Sequence, residues 1–197
     1  MSKKYKDPIE EFIEIKKEEN HKNETNKSKK TTFIQELKEW TKTIFVALII
    51  FLIINIFIVN VKVEGLSMYP TYNENDFLIV NKIAYKKDNP AFGDNIVFKT
   101  SRKGHLLIKR VIGLPNDKIV IKDNRVYRND SLLNEEYIKD GLTNGDLELI
   151  VPEYCYFVLG DNRLHSLDSR SPLIGVVKKE DIIGRVFLRV FPKPSVY

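Results

Sequence analysis

Ser67 sits in the stretch EGLSMYPTY, residues 64–72, where Gly65 and Pro70 impose irregular backbone around it. A serine held in this way can act as a nucleophile if a base takes its proton and donors meet the oxyanion that develops. The other nucleophile, the single Cys155, is flanked by Tyr154 and Tyr156 and reads as a structural thiol buried in a strand. Two kinds of base are available. His165 lies in LGDNRLHSLDSR beside Asp161 and Asp168, so a Ser/His/Asp arrangement is conceivable, because such triads are defined by geometry and not by chain order. A lysine can serve instead if apolar surroundings keep it neutral, which means losing roughly three pH units from a reference pKa of about 10.4, or about 4 kcal/mol. Lys109, in LLIKRVI, places an amine in a segment that otherwise reads as core. On the residues alone both arrangements stand, as do a plain loop serine and an outward-facing strand lysine.

The elements that must position these groups begin with a long apolar run. Residues 44–59 read IFVALIIFLIINIFIV, with Asn55 the only polar side chain. Extended to Val63 the run reaches about twenty residues, which at about 1.5 Å per residue crosses a hydrocarbon layer of roughly 30 Å. It is apolar all round, unlike an amphipathic core helix, and predicts a transmembrane helix over residues 43–63. No small-x-small cleavage pattern follows it. Lys27, Lys29, Lys30, Lys38 and Lys42 precede the span, whereas Lys62, at its far end, is the only one until Lys82, so the N-terminus is expected in the cytoplasm and residues 64–197 outside. His21 then lies on the wrong side to meet Ser67. Residues 1–42, rich in Lys, Glu, Asn and Thr, predict a largely mobile segment with short amphipathic patches at 9–13 and 33–37.

After the span the chain reads as β. Runs at 76–80, 95–98, 106–108, 118–121, 125–127, 156–159 and 185–188 are rich in β-branched and aromatic residues. Gly and Pro at 89–94 and 113–117 mark reversals; Asp123-Asn124 predicts a two-residue hairpin, and His105 falls at a further hairpin tip. No long amphipathic helix follows the span, which excludes a parallel α/β sheet. The expected fold is mainly β: one N-terminal transmembrane helix, then an extracytoplasmic antiparallel β-domain.

Composition narrows the partners. The 197 residues carry a net charge of +5 from 32 Lys+Arg and 27 Asp+Glu, a mixed surface without an arginine cluster, and nucleic acid is not an expected partner. One cysteine excludes an internal disulfide and a cysteine metal site.

EGLSMYPT, GDNIVF, LIKRVIGLPND and LGDNRLHSLDSR, in this order behind an apolar anchor, resemble the successive boxes of the bacterial type I signal peptidases, the leader peptidase family of membrane-bound Ser/Lys proteases, in the Gram-positive form. The resemblance covers the span and nearly all of residues 64–192. It implies Ser67 as nucleophile and Lys109 as general base. Ser166 would hydrogen-bond the lysine amine, Asp168 and Arg170 would form an ion pair beneath the site, and Asp161 would pair with Arg110. The oxyanion would meet the backbone N–H of Ser67 and a donor from Gly65, where some relatives carry a serine hydroxyl. The usual GLPGD is GLPND here, and Asn116 tolerates the positive φ that the turn needs. Residues of about 116–155 resemble the family's variable β insertion.

The implied substrates are signal-peptide-bearing preproteins with small residues at the first and third positions before the cut, docked as an added strand; no metal or organic cofactor is required. Leu66, Met68 and Tyr69 are expected either at the lipid interface or in the core. A noncatalytic membrane-anchored β-domain that binds exported proteins is the alternative. A self-cleaving repressor-type Ser/Lys protein is disfavoured by the span and by the lack of a DNA-binding head.

Overall fold

The structure, a computed structural model, describes residues 8–100, 105–139, 141–192 and 194–196. Two compact units divide the chain between Ile53 and Ile54.

Helix α1 spans Pro8–Phe57. Proline is pre-organised for a first helical turn, and neither glycine nor proline recurs before Gly65. The segment expected to be mobile is therefore helical from residue 8. Side chains at 10–15 and 18–34 lie outside the described residues, and with them most of the two amphipathic patches. Gln35–Phe57 is long and apolar enough to cross a bilayer, and each of its side chains is exposed.

Among the described residues twelve strands follow: β1 (Ile58–Lys62), β2 (Phe77–Asn81), β3 (Asn95–Lys99), β4 (Leu106–Gly113), β5 (Lys118–Lys122), β6 (Arg125–Arg128), β7 (Ser131–Leu132), β8 (Leu147–Ile150), β9 (Cys155–Leu159), β10 (Val177–Lys178), β11 (Ile182–Phe191) and β12 (Ser195–Val196). The helix expected to reach residue 63 stops at Phe57, and β1 begins at the next residue. Ile58, Val59 and Val61 are β-branched, and a partner is at hand: β1 pairs antiparallel with β2, Ile58 opposite Asn81. The Lys82 N–H also donates to the Phe57 carbonyl at 2.9 Å.

The larger sheet has the order β1-β2-β11-β3-β4-β9-β10, with β12 on β11; the smaller has the order β7-β6-β5-β8. Every pairing is antiparallel. Successive antiparallel steps make β1 and β4 run in the same direction. β4 meets β3 along residues 106–110 but meets β9 only from Arg110 onward, so its first half has one unpaired edge. β1 is itself an edge.

Turn chemistry holds these strands in register. Asp123 and Asn124 take φ of 51° and 59° between β5 and β6, the mirror-image turn that suits hairpin twist, and Asn116 takes φ 69° in GLPND. One apolar cluster gathers Val63, Met68, Tyr72, Leu78, Val80, Val97 and Val186 beneath β1–β2; another joins the small sheet to β4 and β9 through Ile112, Ile119, Phe157 and Leu159.

Candidate active site

Ser67 lies in the loop between β1 and β2. Gly65 turns that loop at φ +80°, a left-handed conformation that costs other residues roughly 1–2 kcal/mol. The Met68 side chain, 2% exposed, plugs the core with Val63 and Tyr72. Met68 therefore does not belong to a lipid-facing surface: its flexible thioether fills the gap beneath the loop. Leu66 is exposed and Tyr69 half-buried.

Lys109 lies midway along β4, opposite Ile96 of β3, and is 1% exposed. Its Nζ is 2.6 Å from Ser67 Oγ and donates to the Ile108 carbonyl at 3.0 Å. Burial pushes the amine down from 10.5 to about 8; the carboxylates of Asp168 and Asp161 oppose that fall, and Arg170 adds to it. The expected hydrogen bond from the amine to Ser166 is not formed. The Ser166 hydroxyl is buried without a partner, while a second N–H of the amine goes to the Ile108 carbonyl.

The two carboxylates of LGDNRLHSLDSR are both taken by arginines. Asp161 accepts from Arg110 Nε and Nη2 at 2.8 and 2.7 Å and from the Thr71 hydroxyl at 2.5 Å. Asp168 accepts from Arg170 Nε and Nη2 at 2.8 and 2.9 Å and from the Gly160 N–H at 3.0 Å. His165 is exposed and faces Asn162 Oδ1 at 3.2 Å. With neither carboxylate on His165, the Ser/His/Asp alternative is not assembled. The His21 side chain and residues 101–104, the expected hairpin tip, lie outside the described residues.

Several positions that sequence reasoning did not single out hold the serine loop. The Asn162 N–H donates to the Ser67 carbonyl at 3.0 Å and its Nδ2 to the Leu66 carbonyl at 3.1 Å. Gly160 touches the same carbonyl: a Cβ there would overlap the Ser166 side chain and come within 2.5 Å of Ser67 O. Both lie inside a motif already noticed, but their contacts cross more than ninety positions of sequence. No hydrogen bond engages the N–H of Gly65 or Ser67 among the described residues, leaving both as open donors.

A cleft of about 370 Å³ runs from Ser67 and Met68 between residues 60–64 on one side and 105–108 on the other. Its walls are the edge strand β1 and the half-unpaired β4. Extended backbone inserted there would meet free N–H and C=O groups on both sides.

The profile of the family described as "Signal peptidase, peptidase S26" matches residues 37–191. The chain belongs to this signal peptidase family. It is 39% identical to signal peptidase I U of Bacillus subtilis (strain 168), over 76% of this chain and 84% of that one. It is 36% identical to a probable signal peptidase I-2 of Synechocystis sp. (strain ATCC 27184 / PCC 6803 / Kazusa), over 90% and 84%, and 40% identical to signal peptidase I of Bacillus caldolyticus, over 75% and 88%. The match of the signal peptidase profile takes in nearly all of the apolar Gln35–Phe57 segment and strands β1 to β11.

Proposed function

We propose that this chain is a membrane-anchored serine endopeptidase that removes N-terminal signal peptides from secreted preproteins at the outer face of the membrane, with Ser67 as nucleophile and Lys109 as general base. The observation that carries the reading is the 2.6 Å approach of a lysine amine, enclosed by core residues, to the hydroxyl of a loop serine.

The amine must be neutral to accept a proton. A pKa of about 8 leaves roughly a tenth of it neutral at pH 7, and a peptide that fills the cleft removes more water and lowers it further. Lys109 takes the proton from Ser67 Oγ as that oxygen bonds to the scissile carbonyl carbon. The carbonyl oxygen becomes the oxyanion and meets the open N–H of Ser67, with the N–H of Gly65 as second donor. Lys109 then protonates the leaving amine as the peptide C–N bond breaks. Water, deprotonated by the same lysine, releases the acyl group and restores Ser67. These steps call for neither metal nor organic cofactor.

Substrate recognition follows from the cleft. A peptide lying as a strand between β1 and β4 presents alternate side chains to one wall, so a shallow wall selects small residues at the first and third positions before the cut. The lysine-rich flank before the span supports a cytoplasmic N-terminus and a β-domain outside, where translocated preproteins emerge.

The test is incubation of the purified full chain with a preprotein, wild type beside Ser67→Ala and Lys109→Met, with the products read by mass spectrometry. Wild type should release the mature chain after a small-x-small site and neither variant should. Release of the same product by Ser67→Ala would overturn the assignment.

A further inference from the structure

The 135–144 segment of the small-sheet insertion grips three arginines behind the candidate site. Glu135 forms a two-pronged ion pair with Arg163, Oε1 to Nη2 at 2.5 Å and Oε2 to Nη1 at 2.9 Å, with the two side chains only 7% and 2% exposed. The Thr143 hydroxyl accepts from the same Nη1, and the Asn144 side chain accepts from Arg170 Nη1 at 2.5 Å. The Tyr137 hydroxyl donates to Glu135 Oε1 at 2.7 Å, while its ring lies 4.1 Å beneath the Arg110 guanidinium carbon.

Two of these grips lead to the serine loop. Arg163 Nε donates to the Gly160 carbonyl at 3.0 Å, and Gly160 abuts the Ser67 carbonyl that the Asn162 N–H holds. Arg110 pairs with Asp161, which accepts from Thr71 on the loop itself. A buried ion pair is a poor way to gain stability, since an apolar pair of similar volume does as well or better, but its fork fixes one geometry. Stability alone does not account for a carboxylate carried on an insertion and buried against an arginine that reaches under the nucleophile.

We infer that Glu135 and Tyr137 are positioning residues for the cleavage: through Arg163 and Arg110 they set the shelf of Gly160, Asp161 and Asn162 on which Ser67 meets Lys109. This rests on the reading of Ser67 and Lys109 as the reacting pair. The insertion is then part of the catalytic apparatus.

The test uses the full chain in detergent micelles with a preprotein substrate, comparing wild type, Ser67→Ala, Glu135→Gln, Tyr137→Phe and Val126→Ala. Val126→Ala loosens the core of the insertion, on which the Tyr137 ring also packs, but leaves the Glu135–Arg163 ion pair and the Tyr137 hydroxyl bond in place. Steady-state rates are taken well below the thermal transition of each variant, as monitored by circular dichroism. Glu135→Gln should lower kcat by about 10- to 100-fold with KM within about twofold, the signature of a misplaced nucleophile. Tyr137→Phe, which keeps the ring and removes one of the two donors on Glu135 Oε1, should lose several-fold in kcat, and Val126→Ala less than twofold. Should Glu135→Gln fail to fold, Tyr137→Phe decides alone. Wild-type kcat in the folded clamp variants, or an equal fall in Val126→Ala, overturns the inference. Cleavage by Ser67→Ala instead strikes the underlying reading, so the two failures are distinguishable.

Discussion

Lys109 and Ser67 are joined side chain to side chain across 42 positions of sequence, amine to hydroxyl at 2.6 Å, with the lysine enclosed by strand core. Everything the site can do depends on the proton balance of that pair.

The first expectation concerns pH. With Lys109 as the base, as proposed, the working form is the neutral amine, so cleavage should rise with pH and level off, with a midpoint at or below about 8 that reports Lys109. A profile of kcat/KM from pH 5 to 10 checks this. A pH dependence that vanishes in His165→Asn would assign the base to the histidine instead.

The same amine costs stability. Its folded pKa lies below its ordinary value, so between about 8 and 10.5 the unfolded chain binds more protons than the folded one, and stability climbs as pH rises through that window. Below it the penalty is fully present, on the order of 3 kcal/mol. Lys109→Met should therefore be inactive yet more stable than wild type at pH 7, by up to that amount, with the gain shrinking toward pH 10.5. Urea midpoints at both pH values test it.

Gly160 leaves no room for a side chain. Gly160→Ala should displace Ser67 and Ser166 together and lower kcat by about 100-fold, as expected when a reacting group moves by roughly 1 Å. Steady-state kinetics alongside a thermal melt measure both effects.

Asp161 is wholly buried against Arg110. Asp161→Asn strips the arginine of its counter-charge and should cost about 3–5 kcal/mol of folding stability, whereas Thr71→Val, which removes one hydroxyl from the same carboxylate, should cost about 1 kcal/mol. Denaturant titration separates the two.

Much of this arrangement was legible beforehand, and for identifiable reasons. Strands β2 to β6, β9 and β11 announce themselves through β-branched and aromatic runs bounded by Gly, Pro, Asn and Asp, and the Asp123-Asn124 hairpin by its turn chemistry. The end of α1 was not, because Ile58, Val59 and Val61 suit a lipid-facing helix as well as a strand; only the presence of β2 as a partner decides. Two-residue strands such as β7, β10 and β12 are too short to show a period. Within the site, the meeting of Ser67 with Lys109 was expected from the motifs. The buried place of Met68 was left open, and the unpartnered Ser166 hydroxyl and the grip of Glu135 on Arg163 were missed, since each depends on contacts between distant segments that no local pattern encodes.

The start of β1 directly after α1 gives the molecule a ruler. Of the nine positions between Phe57 and Ser67, five are locked in a ladder with β2 and Val63 is sunk in the core, leaving Glu64, Gly65 and Leu66 as the only ones outside both. At about 3.3 Å per strand residue, the hydroxyl stands at a set reach from the last turn of the helix, with no slack chain to pay out.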